Sequence, residues 1–153
     1  GGFRNRITHE SFIQEDFGNG IVRAPKDTLI DGMSVLTFAI SRPPKSIQQM
    51  IDDYNIDVNT DIDYFLIHQA NKLIVDRVVK KLKLPTEKVP YDLEEFGNLG
   101  GASIPSLMVT RIAEKMRNKQ PIKMLCSSFG LGLSWGTMII CTNNVTIPEL
   151  IEI

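Results

Sequence analysis

Three short stretches carry residue types able to work on a carbonyl group. They are His68 at the end of YFLIHQAN, Asn98 in the loop GNLGGAS, and the turn Gly130-Leu131-Gly132 inside FGLGLSWG. An imidazole, a carboxamide and backbone N–H groups opened by glycine can each donate a hydrogen bond to a developing oxyanion. His68 can hold a carbonyl as a neutral donor or act as a base, whereas Asn98 can only donate or accept, because its amide does not titrate near neutrality. Neither side chain is a nucleophile. On residue type alone a second account stands beside this one, with His68 a satisfied polar residue closing a strand and Asn98 a turn-former.

The elements that must position these groups are written in the hydrophobic pattern. Tyr64 to Ile67 is an unalternating apolar run bounded by Asp61 and Asp63, as a strand buried on both faces of a parallel sheet reads. From Gln69 to Leu82 the apolar positions Ala70, Ile74, Val78 and Leu82 recur every fourth residue, opposite Lys72, Asp76, Lys80 and Lys83, and Pro85 follows. Asn71 can cap this helix or bond to the ring of His68. Upstream, Val35, Leu36 and Ala39 mark a helix from Gly32, and Ile47, Met50, Ile51 and Tyr54 continue it beyond Pro43 and Pro44, which should break or kink it. Downstream come a short strand around Val89 and Tyr91, the loop GNLGGAS, and a helix from Ile104 to Met116 with Ser103 as N-cap. Ile122 to Ser127 and Ser134 to Thr142 form a terminal hairpin about the glycine turn. Gly1 to Lys26 reads as loop with at most a short strand. This order predicts an α/β fold, a mixed five-stranded sheet covered by helices with a C-terminal antiparallel hairpin. His68, Asn98 and the glycine turn then meet at the carboxyl edge, where open α/β sheets bind ligands.

Composition narrows the function classes. The 153 residues, 42% of them hydrophobic, suit one domain with an enclosed core, without repeat or linker. Lys plus Arg total 17 against 18 Asp plus Glu, and no basic run interleaves with aromatics, so no nucleic-acid surface is announced. No apolar stretch is long enough to span a bilayer and GGFRNRITHE lacks the regions of a secretion signal, so a cytoplasmic chain without a membrane partner is expected. Cys126 and Cys141 lie inside apolar runs and read as buried reduced thiols; with two histidines in all, no metal site is expected.

Taken together, IDGMSVLTFA, HQAN at a strand end, GNxxxASIP opening a helix, and FGxGLSWG in a terminal hairpin closely resemble the C-terminal half of the 3-oxoacyl-acyl-carrier-protein synthase III family, of thiolase-like fold. The resemblance covers Leu29 to Thr142. It implies that His68 and Asn98 hold the thioester carbonyl of a malonyl-carrier protein and stabilise the enolate formed on loss of carbon dioxide. It also implies that Gly130, Leu131 and Gly132 offer backbone N–H to the carbonyl of the transferred acyl group. The activity implied is a decarboxylative Claisen condensation, in fatty-acid or related biosynthesis. Its substrates are coenzyme A or phosphopantetheine thioesters, with no metal or redox cofactor.

The family's acyl-accepting cysteine belongs to its N-terminal half, and neither Cys126 nor Cys141 sits at a helix start that would activate it. Residues 1–153 are thus expected to be the C-terminal domain of a longer enzyme, with 1–28 an irregular segment following the N-terminal half, and to be inactive alone. The implied partners are that N-terminal half, a second copy in a homodimer, and an acidic acyl carrier protein. For the carrier, Lys72, Arg77 and Lys80 offer a basic face that can equally be a solvated one. Where many members have HQANLR, this chain has Lys72 and Leu73; where they have NTSAAS and GGG, it has NLGGAS and a middle Leu131. Phe129 and Trp135 either line an acyl tunnel or pack the hairpin. A related acyltransferase or a non-catalytic partner subunit on the same scaffold is the alternative.

Overall fold

The computed structural model describes residues 7–27, 31–118, 120–130 and 132–151. The chain divides into two compact units, Gly1–Val35 and Leu36–Ile153. In the first, β1 (Glu15–Asp16) and β2 (Val22–Arg23) pair antiparallel as a short ribbon after a single 3-10 turn at His9–Phe12. The helix α1 (Gly32–Ala39) begins here. The Asp31 carboxylate accepts from the N–H groups of Met33 and Ser34 at 3.1 and 3.2 Å, satisfying donors that the first turn leaves open.

The second unit is built on a three-stranded mixed sheet of order β3-β4-β5. β3 (Tyr64–Ile67) runs parallel to β4 (Ile122–Gly130), and β4 pairs antiparallel with β5 (Ser134–Thr142), from Ile122 opposite Thr142 to Gly130 opposite Ser134. Strand periodicity sends alternate side chains to opposite faces. Phe65, Ile67, Leu125 and Phe129 therefore pack with Ile47 and Ile51 of α2 (Arg42–Asp53) and with Ile74, Val75 and Val78 of α3 (Lys72–Leu82). Leu66, Met124 and Cys126 pack with Leu107 of α5 (Ser103–Thr110) and Met116 of α6 (Ala113–Arg117). Covering on both sides is why YFLI shows no alternation. Each such buried side chain contributes about 1.5–3 kcal/mol relative to exposure.

The prolines act at a helix start. α1 stops at Ala39 and α2 opens with Pro43 and Pro44 in its first turn, where the missing N–H groups have no intrahelical acceptor to lose. α3 is capped by Asn71, whose Oδ1 accepts from Ile74 N at 2.9 Å, and closes on Lys83 at φ +53°.

Three expectations are corrected. A single five-stranded sheet does not form, because the N-terminal ribbon is a separate sheet and no strand forms at Val89 and Tyr91. Pro90 between them lacks a ladder donor, and a 3-10 turn at Thr86–Lys88 precedes them, pinned by Lys88 Nζ to the carbonyls of Asn59 and Ile62 at 2.6 Å each. The helix predicted from Ile104 to Met116 is two helices, broken at Arg111 and Ile112 just after Thr110 turns its hydroxyl back onto Ser106 O at 2.8 Å. Ser103 is already helical, and its Oγ caps nothing.

Candidate active site

His68 sits one residue beyond β3 and extends its ladder, donating its N–H to Ser127 O at 2.9 Å. The residue is 6% exposed, and its ring stands edge-on to Phe129, centroids 4.8 Å apart at 88°. Burial pushes the imidazole below its ordinary 6.5, which keeps it neutral at physiological pH. Its Nδ1 is enclosed without a hydrogen-bond partner among the described residues. Next to it Gln69, also buried, donates from Nε2 to Ile67 O at 2.8 Å, leaving Oε1 enclosed and unpaired among the described residues.

From His68 an aromatic row runs outward. Phe129 meets Phe38 at 6.0 Å and Phe38 meets Trp135 at 5.5 Å, both edge to face. Trp135, at the far end, is 46% exposed. Gly130 follows Phe129 directly, so the structure brings this end of the glycine turn to the His68 side of the sheet. A Cβ built on Gly130 meets nothing within 4 Å, so the space beside it is open, and Gly132 has φ +127°, a conformation that glycine adopts readily. Leu131 lies outside the described residues.

Asn98 does not follow a strand, as the sequence had suggested, but the short helix α4 (Leu93–Phe96). It is exposed, and its Oδ1 accepts from Gly100 N at 3.0 Å in an Asx turn. Holding the oxygen end in the turn leaves the NH₂ as the end able to serve another oxygen. Asn98 bonds to Gly100 rather than to His68. Its loop opens α5, and α6 hands on to β4 at the N-terminal end of the strands. His68 and Gly130 lie at the C-terminal ends of β3 and β4.

The basic face of α3 is partly engaged. Lys72 Nζ lies 3.5 Å from Asp76 and 4.8 Å from the centroid of the Tyr91 ring, while Arg77 and Lys80 are exposed. The two thiols differ: burial pushes Cys126 up to about 11, whereas Cys141, expected to be buried, lies exposed on β5. Among the described residues no group of three or more His, Cys, Asp or Glu is placed to hold a metal ion, and no helix is long and apolar enough to cross a membrane.

Sequence reasoning passed over Asp92, which is buried and accepts at Oδ2 from Ser106 Oγ at 2.5 Å and Thr110 Oγ1 at 3.2 Å. An Asp ahead of LEEF signals a helix N-terminus, but nothing local signals burial. Phe38 was likewise read only as part of a helix.

Residues 53–141 match the model of the family described as 3-oxoacyl-[acyl-carrier-protein] synthase III C terminal. A beta-ketoacyl-[acyl-carrier-protein] synthase III of Streptococcus pneumoniae (strain Hungary19A-6) is 41% identical over 135 residues, which is 86% of this chain and 39% of that protein. The chain therefore spans well under half the length of the curated relatives it matches. Among solved structures, a 3-oxoacyl-(acyl-carrier protein) synthase from Burkholderia xenovorans LB400 superposes with a TM-score of 0.75 at 29% identity, over 83% of this chain and 36% of that one. The beta-ketoacyl-[acyl-carrier-protein] synthase III of Thermus thermophilus gives 0.63 at 31%, over 73% and 34%. The thiolase-like α/β fold implied by the sequence motifs is the one observed. With its motifs, its sheet and its relatives in agreement, the chain belongs to the 3-oxoacyl-[acyl-carrier-protein] synthase III family, matching it in the C-terminal region.

Proposed function

We propose that this chain supplies the decarboxylating half of a condensing active site, with His68 and Asn98 as the donors that hold the malonyl thioester carbonyl. The observation that carries the reading is the state of His68: a buried, neutral imidazole at the carboxyl edge of the sheet, beside the Phe129–Gly130 turn. With Nδ1 enclosed and unpaired among the described residues, the reading puts the proton on Nε2, from which it can be donated to a substrate oxygen. The carboxylate–carbon bond of the malonyl group breaks, carbon dioxide leaves, and the electron pair passes through the α-carbon onto the thioester oxygen. That oxygen accepts from His68 Nε2–H and the Asn98 NH₂. A preorganised donor in a dry site is worth about 3–4 kcal/mol to such an oxyanion. The enolate carbon then attacks the acyl thioester carbonyl, whose oxygen the Gly130, Leu131 and Gly132 backbone would receive, and the thiolate departs.

The acyl-accepting cysteine is assigned to a preceding half of the same protein, since Cys126 is buried with its thiol pushed up to about 11 and Cys141 lies in β5 rather than at a helix start. An acyl carrier protein is the proposed donor partner, with Arg77, Lys80 and the partly engaged Lys72 as its docking face, and a homodimer the proposed assembly. Thioesters are the proposed substrates, no cofactor is assigned, and the cytoplasm is the proposed compartment.

The test is to measure malonyl-thioester decarboxylation and enzyme acylation side by side in the full-length protein. His68→Ala and Asn98→Ala should each lower decarboxylation by about two to three orders of magnitude and leave acylation largely intact. Parental decarboxylation in both variants overturns the assignment.

A further inference from the structure

We propose that Asp92 is a positioning residue for Asn98: its buried carboxyl group clamps the α4 turn to α5 and so fixes the loop between them. The inference rests on the role proposed above for Asn98. Asp92 is 1% exposed, and a polar group so enclosed is costly unless it is bonded. Its side-chain bonds reach into α5, to Ser106 Oγ at 2.5 Å and Thr110 Oγ1 at 3.2 Å. Thr110 has one hydroxyl proton, already drawn to Ser106 O at 2.8 Å, so Ser106 is the firmer donor. The backbone of the same residue works in the other direction. Its carbonyl accepts from Glu95 N and Phe96 N at 3.1 Å each, which closes α4.

One residue therefore ties both flanks of the Asn98 loop, and Arg111 Nη2 adds a second, more exposed tie to Glu95 Oε1 at 2.6 Å. The loop needs such ties. Gly97 at φ +67° and Gly100 at φ +56° bracket Asn98, and glycine loses more backbone entropy on ordering than any other residue. The Asx turn from Asn98 to Gly100 fixes the carboxamide against its own loop, and the α4–α5 clamp fixes that loop against α5, which packs on the sheet through Leu107. Displacing a donor by about 1 Å can cost about a hundredfold in rate.

The test uses the full-length protein, with malonyl-thioester decarboxylation as the readout. Asp92→Ala and Ser106→Ala should each lower kcat about 10- to 100-fold, with KM changed less than about threefold. Asp92→Asn, whose amide oxygen can still accept from Ser106, should recover most of the rate. In an Asn98→Ala background, Asp92→Ala should have almost no further effect, because a residue acting through Asn98 cannot act once it is gone. A merely structural residue would lower activity equally in both backgrounds, and that result, or a parental kcat in Asp92→Ala, overturns the proposal. If Asp92→Ala fails to fold, Ser106→Ala carries the same comparison, since alanine suits a helix interior. A parental rate in Asn98→Ala itself sinks the reading on which the inference rests, and it does so without involving Asp92.

Discussion

The edge-on contact between His68 and Phe129 joins the end of β3 to the end of β4 through side chains, just past the backbone bond from His68 N–H to Ser127 O. Phe129 is thus both a core residue and part of what keeps water from the imidazole. Phe129→Ala should cost about 3–5 kcal/mol of stability and move the His68 pKa back toward its ordinary value. Phe129→Leu should keep the pKa depressed. An NMR titration of the histidine ring protons checks both, and a parent His68 titrating at its ordinary value would contradict the burial.

Acid stability should report on the same residue. The folded pKa of His68 lies below its unfolded 6.5, so just beneath that pH the native state binds fewer protons than the unfolded chain. Stability should be full above that window and fall as pH drops through it, because unfolding then takes up a proton. Urea midpoints between pH 8 and pH 5 should show a loss that His68→Asn lacks. An identical slope in that variant removes His68 as the cause.

The two thiols should separate cleanly. With Cys126 buried and pushed up to about 11, and Cys141 exposed, a disulfide reagent at mild alkaline pH should modify one thiol in the native protein and the second only after denaturation. Cys141→Ser should eliminate the fast phase. Equal rates for both thiols would mean that β4 is not covered as described.

Asn71 lies close enough in sequence to His68 that two roles were open, and the bond to Ile74 N assigns it to the helix. Asn71→Ala should therefore cost about 1 kcal/mol in thermal or denaturant unfolding, with Asn71→Asp recovering it. The histidine titration should not move. A shifted titration with unchanged stability would restore the other role.

What could be read from the residues alone, and what could not, divides by the range of the interactions involved. β3 and α3 were legible because burial on two faces and a four-residue spacing are properties of a short segment. The motif residues His68 and Asn98 were legible as chemical types. Val89 and Tyr91 were misread because a β-branched and an aromatic residue favour strands, and the Pro90 between them weighs against that only if the ladder is considered. The break at Arg111 follows a single hydroxyl turning back on the helix, which no periodicity encodes. Asp92 was not legible, because the partners of its buried carboxyl group, Ser106 and Thr110, come from another helix. Phe38 joined the aromatic row for the same reason, through partners far along the chain.

The pairing register of the central sheet also sets an order of assembly. β4 and β5 meet through a tight turn, so their closure costs little chain entropy and can occur within microseconds. β3 must wait for a partner well downstream, with Lys123 N donating to Asp63 Oδ2 across 60 positions of sequence. During synthesis β3 therefore emerges long before β4, its partner in this sheet, and its apolar run stays available to chaperones or to other chains. Only the arrival of β4 gives it a template in this sheet, so a ribosome that stops before Ser127 releases a chain whose apolar YFLI strand lacks part of its pairing partner.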